Sequence, residues 1–150
     1  MITLVNPPGF KSFTGLQTHA PNPPLGLAYV AASLKAAGLP YRVIDAAGLA
    51  LDAIRRWPPR PDFMVQGLFP DEVVGRVHPD TRVIGITCLF SSLWPITRDL
   101  AARLRQRFPE AVIVLGGEHG TAVPEHVLTT STFDVVVLGE GEETAVSLFR

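Results

Sequence analysis

The sequence predicts an α/β fold built on a doubly wound parallel sheet, and three observations predict it. Short apolar, β-branched runs recur along the chain and stop at turn residues, as strands buried on both faces do. Helical patterns lie between consecutive runs, which is the signature of right-handed strand–helix–strand units. Two of the runs, Ala111-Val-Ile-Val-Leu-Gly-Gly-Glu-His-Gly120 and Val135-Val-Val-Leu-Gly-Glu-Gly-Glu-Glu143, end in glycine-rich turns that would share one rim. In open parallel sheets ligands bind outside the carboxyl ends of the strands.

Taken in order, Ile2–Val5 is the first strand, and Asn6-Pro7-Pro8-Gly9 cannot continue a ladder. Gly9 to Pro23 shows no period and many breakers, so it reads as a long functional or disordered loop. Pro24–Ala37 is a helix with proline in its first turn, Gly38 at its end and an apolar stripe of Leu27, Val30, Ala31 and Leu34. Tyr41–Asp45 is the second strand, and Ala46–Trp57 is read as a helix closed by Pro58-Pro59. Pro61–Gln66 is either a strand or a piece of the crossover, and Asp71–Val77 suits a short helix. Arg82–Thr87 is the third strand. Leu93–Phe108 is a helix with Ile96, Leu100 and Leu104 four residues apart. The fourth strand starts at Ala111, Pro124–Leu128 is a short helix, Asp134–Leu138 is the fifth strand, and a last helix begins near Glu142. Five strands and about five helices give the Rossmann-like, flavodoxin-like order 2-1-3-4-5, with the switch point between strands 1 and 3.

Composition bounds the function. The chain has 150 residues, which is the size of one domain spanning 1–150 with a real core. A net charge of −1 points to no nucleic acid and no membrane surface as partners. The start runs straight into a strand without a signal peptide, which reads as cytoplasmic. The single cysteine, Cys88, excludes an internal disulfide framework and a cysteine-held iron–sulfur site within this chain. The last residues stop inside a helical pattern, so the chain is expected to be a fragment of something longer.

The predicted rim carries Asn6, Pro7, Thr87, Cys88, Leu89, Phe90, Ser91, Gly116, Gly117, Glu118, His119, Gly139, Glu140 and Gly141. These offer peptide groups, hydroxyls, an amide and small residues with few charges, a bed for a large, neutral, amide-rich ligand with at most one phosphate. Neither a Gly-x-x-x-x-Gly-Lys-Ser/Thr loop nor a Gly-x-Gly-x-x-Gly after the first strand is present.

Four stretches resemble one family. Pro23-Pro-Leu-Gly-Leu-Ala-Tyr-Val-Ala-Ala-Ser-Leu-Lys-Ala-Ala-Gly38 is similar to the first helix of the cobalamin-binding domain at the front of cobalamin-dependent radical S-adenosylmethionine (radical SAM) enzymes. Val83-Ile-Gly-Ile-Thr-Cys-Leu-Phe90, Gly116–Glu125 and Asp134–Glu143 resemble its third, fourth and fifth strand ends. The resemblance covers Met1 to Arg150 and is weakest between Arg60 and Pro79. It implies a corrin ring across the strand ends with its nucleotide tail running down beside the sheet, where Gly85, Thr87, Gly116 and Gly117 make room. It also implies a radical SAM catalytic domain in cis, holding a [4Fe-4S] cluster and S-adenosylmethionine. The parent chemistry would be methyl transfer, with oxidative cyclisation or rearrangement next. One departure matters. The Asp-x-His-x-x-Gly that supplies cobalt's lower histidine in classical corrinoid enzymes is absent, and its place reads Pro7-Pro-Gly-Phe-Lys-Ser12. So no metal-ligating residue is assigned.

Each candidate has a plainer reading. Gly116-Gly117 alone would be a tight turn. Thr87 and Ser91 could cap the next helix, and Glu142 suits a helix's first turn. Cys88 reads as a small buried apolar residue. His119 either bonds a corrin side chain or faces solvent, His19 lies in the long loop, and His78 and His126 read as surface residues. Phe90 and Trp94 either lean on a ring or join the core, and Asp45 reads as a turn or cap residue. Two rival functions stand beside cobalamin binding: a corrinoid-free docking module of the same fold, and a flavodoxin-like flavin or signalling domain.

Overall fold

A computed structural model of the chain describes residues 1–15 and 22–150. In chain order its elements are β1 (Ile2–Asn6), β2 (Gly9–Ser12), α1 (Leu25–Ala36), β3 (Tyr41–Asp45), β4 (Ile54–Trp57), β5 (Arg60–Gln66), α2 (Pro70–Val74) and β6 (Val83–Thr87). There follow α3 (Trp94–Arg107), β7 (Val112–Gly116), α4 (Glu118–Ala122), α5 (Pro124–Thr130), β8 (Val135–Val136) and α6 (Glu142–Leu148). Short 3₁₀ turns occupy Gly48–Ala50 and Ser91–Leu93.

The main sheet is parallel throughout, in the order β3-β1-β6-β7-β8. Renumbered within that sheet this is 2-1-3-4-5, as expected. Strict alternation divides each strand between two cores. Val5, Ile84, Ile86, Ile113 and Leu115 pack with Leu100 and Leu104 of α3. Ile2 and Leu4 pack on the other face with Leu27, Ala31 and Leu34 of α1 and Ala145 of α6. The stripe on α1 recurs every three to four residues, which is why that face turns inward. The helix ends where Gly38, at φ 70°, lets Leu39 N–H donate back to the Leu34 carbonyl at 3.0 Å.

Three expectations are corrected. Part of the loop expected from Gly9 to Pro23 is strand: β2 pairs antiparallel with β5, which pairs with β4, so a three-stranded accessory sheet stands beside the main one. His19 of that loop lies outside the described residues. Ala46–Trp57 is not a helix. Ala46 is tied by tertiary hydrogen bonds, its N–H to the Asn6 carbonyl at 3.0 Å and its carbonyl to Leu68 N–H at 2.9 Å, Gly48–Ala50 makes one 3₁₀ turn, and the last residues are β4. Pro58-Pro59 closes a hairpin there, not a helix. The fifth strand is shorter than expected, Val135–Val136, flanked by single bonds to β7 from Asp134 N–H to the Ile113 carbonyl at 2.9 Å and from Val137 N–H to the Leu115 carbonyl at 2.8 Å, while the Asp134 carboxylate accepts from Ile113 N–H at 2.7 Å and pairs with Arg105. Phe10, Trp57, Val65 and Ile96 form a small core that fastens the accessory sheet to α3. No helix among the described residues is long and apolar enough to cross a membrane.

Candidate functional site

The carboxyl ends of β1, β6, β7 and β8 surround one cavity of about 1010 Å³ at the switch point. Ligand pockets commonly measure about 300–1,000 Å³, so this one is sized for a large ligand.

From β1 come Asn6 and Pro7. The Asn6 amide donates to Asp45 Oδ1 at 2.8 Å, and the same oxygen accepts from Gly48 N–H at 3.0 Å. Asp45 is therefore a turn residue that also holds Asn6 in place. The β6 end contributes Thr87, Leu89 and Phe90, the last two exposed on the rim. The β7 end contributes Gly116, Gly117 and Glu118, and the β8 end Gly139, Glu140 and Gly141.

The β6 and β7 ends are laced together. Cys88 N–H donates to the Gly116 carbonyl at 2.8 Å, and His119 N–H donates to the Cys88 carbonyl at 3.1 Å. Gly117 sits between them at φ 99°, where a Cβ would stand 2.7 Å from the Cys88 carbonyl oxygen. Only glycine combines that conformation with that approach. The β8 turn is tied in by Gly139 N–H donating to Thr121 Oγ1 at 3.0 Å.

Three predicted residues do not line the cavity: Cys88, Ser91 and His119. Cys88 is fully buried, and burial pushes its thiol up to about 11, so it stays protonated. His119 is buried beneath the rim. Its Nδ1 bonds Ser91 Oγ at 2.9 Å and its ring lies 4.8 Å from that of Trp94, while Nε2 is buried without a partner. Burial, then the neighbouring His126, hold its pKa below the ordinary histidine value. Trp94 is accordingly a core residue and Phe90 a rim residue.

Sequence reasoning missed two walls. The accessory sheet contributes Phe10, Lys11 and Gln66. Lys11 Nζ donates to Gln66 Oε1 at 3.0 Å, and Gln66 Nε2 donates to the Leu51 carbonyl at 2.9 Å. Partial burial lowers the Lys11 pKa. Among the described residues Lys11 is the one cation lining the cavity, against Glu118, Glu140 and Glu142. The signal available was the alternation in Gly9-Phe-Lys-Ser12, apolar in and polar across, which four residues are too few to establish. The second wall is the start of α1, at Pro24, Leu25 and Gly26, where proline replaces a side-chain cap and the first turn holds no acid.

The residues fit a large amide-rich disc. A Cβ built at Gly26, Gly116 or Gly139 would meet no protein atom within 4 Å. At Gly26 and Gly116, whose φ is not positive, protein packing does not require glycine. Its absence of side chain leaves open space into which a ligand can press against the backbone. Among the described residues no group of three or more His, Cys, Asp or Glu side chains could hold a metal ion by itself.

Comparison with known proteins agrees. The chain is 32% identical over 124 residues to the cytidylyl-2-hydroxyethylphosphonate methyltransferase of Streptomyces wedmorensis, covering 81% of this chain and 23% of that protein. It is 29% identical over 130 residues to the anaerobic magnesium-protoporphyrin IX monomethyl ester cyclase of Rubrivivax gelatinosus, covering 84% of this chain and 20% of that protein. The chain thus spans about a fifth of the length of these curated relatives. The family model described as the B12 binding domain matches residues 14–149, from just after β2 to the end of α6. With cavity, topology and sequence match in agreement, the chain belongs to the B12-binding domain family.

Proposed function

We propose that this chain is the cobalamin-holding module of a larger radical SAM enzyme, and that the parent reaction is a methyl transfer. The observation that carries the reading is the open cradle at the switch point, where Gly26 and Gly116 face a cavity of about 1010 Å³. Asn6 and Thr87, with the peptide groups of the Gly116 and Gly139 turns, would hold the ring's amides, which need partners once buried. Phe10, Leu89 and Phe90 would exclude water from its edge. Bound there, cobalamin would supply a carrier for a methyl group or a single electron.

No histidine lines the cavity among the described residues, and Pro7-Pro8-Gly9 stands where Asp-x-His-x-x-Gly would bring one. Cobalt is then held without a lower histidine of that kind. The [4Fe-4S] cluster and S-adenosylmethionine belong to a catalytic domain in cis, since Cys88 alone cannot hold a cluster. One relative's name is that of a methyltransferase and the other's that of a cyclase, which favours methyl transfer with oxidative cyclisation as the runner-up.

Titration with hydroxocobalamin tests the reading. A saturable change in the corrin spectrum is expected, and Gly116→Trp should abolish it by filling the cradle. No spectral change and no heat at high micromolar ligand would refute it. The exposed Leu25, Leu89 and Phe90 on the rim favour a second reading, a corrinoid-free docking face for the catalytic domain. Under that reading Gly116→Trp weakens docking, and no corrinoid binds at all.

A further inference from the structure

The segment that follows β6 is gripped at both ends by one residue of another element. His119 stands in the first turn of α4. Its backbone N–H donates to the Cys88 carbonyl at 3.1 Å, and its imidazole Nδ1 bonds Ser91 Oγ at 2.9 Å. Other bonds stiffen the same segment: Cys88 N–H donates to the Gly116 carbonyl at 2.8 Å, and Leu93 N–H to the Phe90 carbonyl at 2.9 Å. The grip has little room to move. The imidazole is 6% exposed and its ring lies 4.8 Å from that of Trp94. The next residue, Gly120, lets α4 press onto β7 and β8, because a Cβ there would stand 3.2 Å from Leu115 Cδ2 and 3.0 Å from Val136 Cγ1. Between the gripped ends stand Leu89 and Phe90. Both line the cavity, and they are 45% and 54% exposed. Left free, two such side chains would gain by turning away from water. The segment holds them out.

We infer that His119 is a positioning residue for the ligand: through Ser91 it keeps Leu89 and Phe90 presented to the cavity without lining the cavity itself. The inference rests on the proposed cobalamin reading and deepens it. Neither His119 nor Ser91 lines the cavity, so an effect of either on binding has to pass through the residues between them. The bond to the Cys88 carbonyl comes from the backbone and survives a change of side chain. The bond to Ser91 comes from the imidazole, and it is the part that requires a polar side chain at this position. Ordering a loop and its side chains at the moment of binding costs affinity, and a site ordered beforehand avoids that cost. A bracket anchored in the core of α4 supplies this order to a rim segment that is itself exposed.

The test is a mutant cycle read by hydroxocobalamin titration, with denaturant melts of every variant alongside. Ser91→Ala removes the hydroxyl from an exposed position, and His119→Phe keeps a ring against Trp94 while removing Nδ1. Each should weaken binding by about fivefold, the worth of one hydrogen bond, and the two together should weaken it no further. His119→Asn carries an amide that reaches where Nδ1 stood, so it should bind more tightly than His119→Phe. The decisive arm repeats Ser91→Ala in a Leu89→Ala/Phe90→Ala background. There nothing remains to be positioned, so the loss of affinity should vanish while the effect on stability persists, a separation that a merely structural role does not produce. Parent-like affinity of folded Ser91→Ala overturns the inference, as does an equal loss in both backgrounds. Ser91→Ala alone decides the matter if His119→Phe does not fold. In each of these outcomes the parent chain still binds the corrinoid. Failure of the parent to bind overturns the cobalamin reading and the inference together.

Discussion

At the scale of single residues the neighbours Gly116 and Gly117 separate two reasons for glycine. Gly117 is required by the protein, at φ 99° with a Cβ blocked by the Cys88 carbonyl. Gly116 is not, since a Cβ there meets nothing. Gly117→Ala should therefore lower stability by about 1–3 kcal/mol through backbone strain. Gly116→Ala should leave the melting temperature nearly unchanged and weaken hydroxocobalamin binding. Denaturant melts and titrations of both variants separate the effects, and a stability loss of equal size in both would contradict this assignment. His119 gives a pH dependence. Its folded pKa lies below the ordinary value of about 6.5 because burial penalises the imidazolium. The unfolded chain then binds the proton more readily, so the contribution is fully present above about pH 6.5 and is lost as pH falls through the lower folded value. Urea melts between about pH 5 and 7.5 should show stability rising with pH, and His119→Gln should flatten that slope.

At the scale of elements the accessory sheet is the part that sequence read least, offering Pro61–Gln66 as a strand or a piece of the crossover and missing β2 and β4, for a physical reason. The parallel strands are covered on both faces, so β6 and β7 appear as unbroken β-branched runs ending in glycine, and Val83–Thr87 and Val112–Gly116 were legible at once. The accessory strands are exposed on one side. β4 reads Ile-Arg-Arg-Trp and β5 opens Arg-Pro-Asp, a composition that local pattern does not separate from a loop or a helix end. Only the long-range partners decide, since Arg55 pairs with Val65 and Phe10 with Val65 across the sheet. The site divided the same way. The glycine ends and Asn6, Thr87, Glu118 and Glu140 could be placed from strand ends alone, whereas the inward turn of His119 and the wall of Phe10, Lys11 and Gln66 depend on packing. Phe10 is buried, stacked at 4.8 Å on Phe63 and edge-on at 5.1 Å to Trp57. Phe10→Ala should cost about 3–5 kcal/mol. Because the same strand carries Lys11, it should also weaken corrinoid binding while the circular dichroism of the parallel sheet persists. An unchanged affinity would show that the accessory sheet is scaffold alone.

At the scale of the whole molecule, ligand and fold are coupled because the cavity is walled by elements that lie far apart in sequence. α1, α6, the accessory sheet and four parallel strand ends meet there, and the unfolded chain cannot assemble them. A ligand that binds only the folded state stabilises it by mass action, about 2.7 kcal/mol at a concentration a hundredfold above its dissociation constant. For a chain of 150 residues each kcal/mol raises the melting temperature by about 2–4 °C. Saturating hydroxocobalamin should therefore raise it by roughly 5–10 °C. The shift reports on the site only if it vanishes with the site, so Gly116→Trp, whose new side chain projects into open space, should keep nearly the parent melting temperature and lose the ligand-induced rise. A rise that survives Gly116→Trp would place the corrinoid somewhere other than the switch-point cavity, because no other change in that variant could spare it.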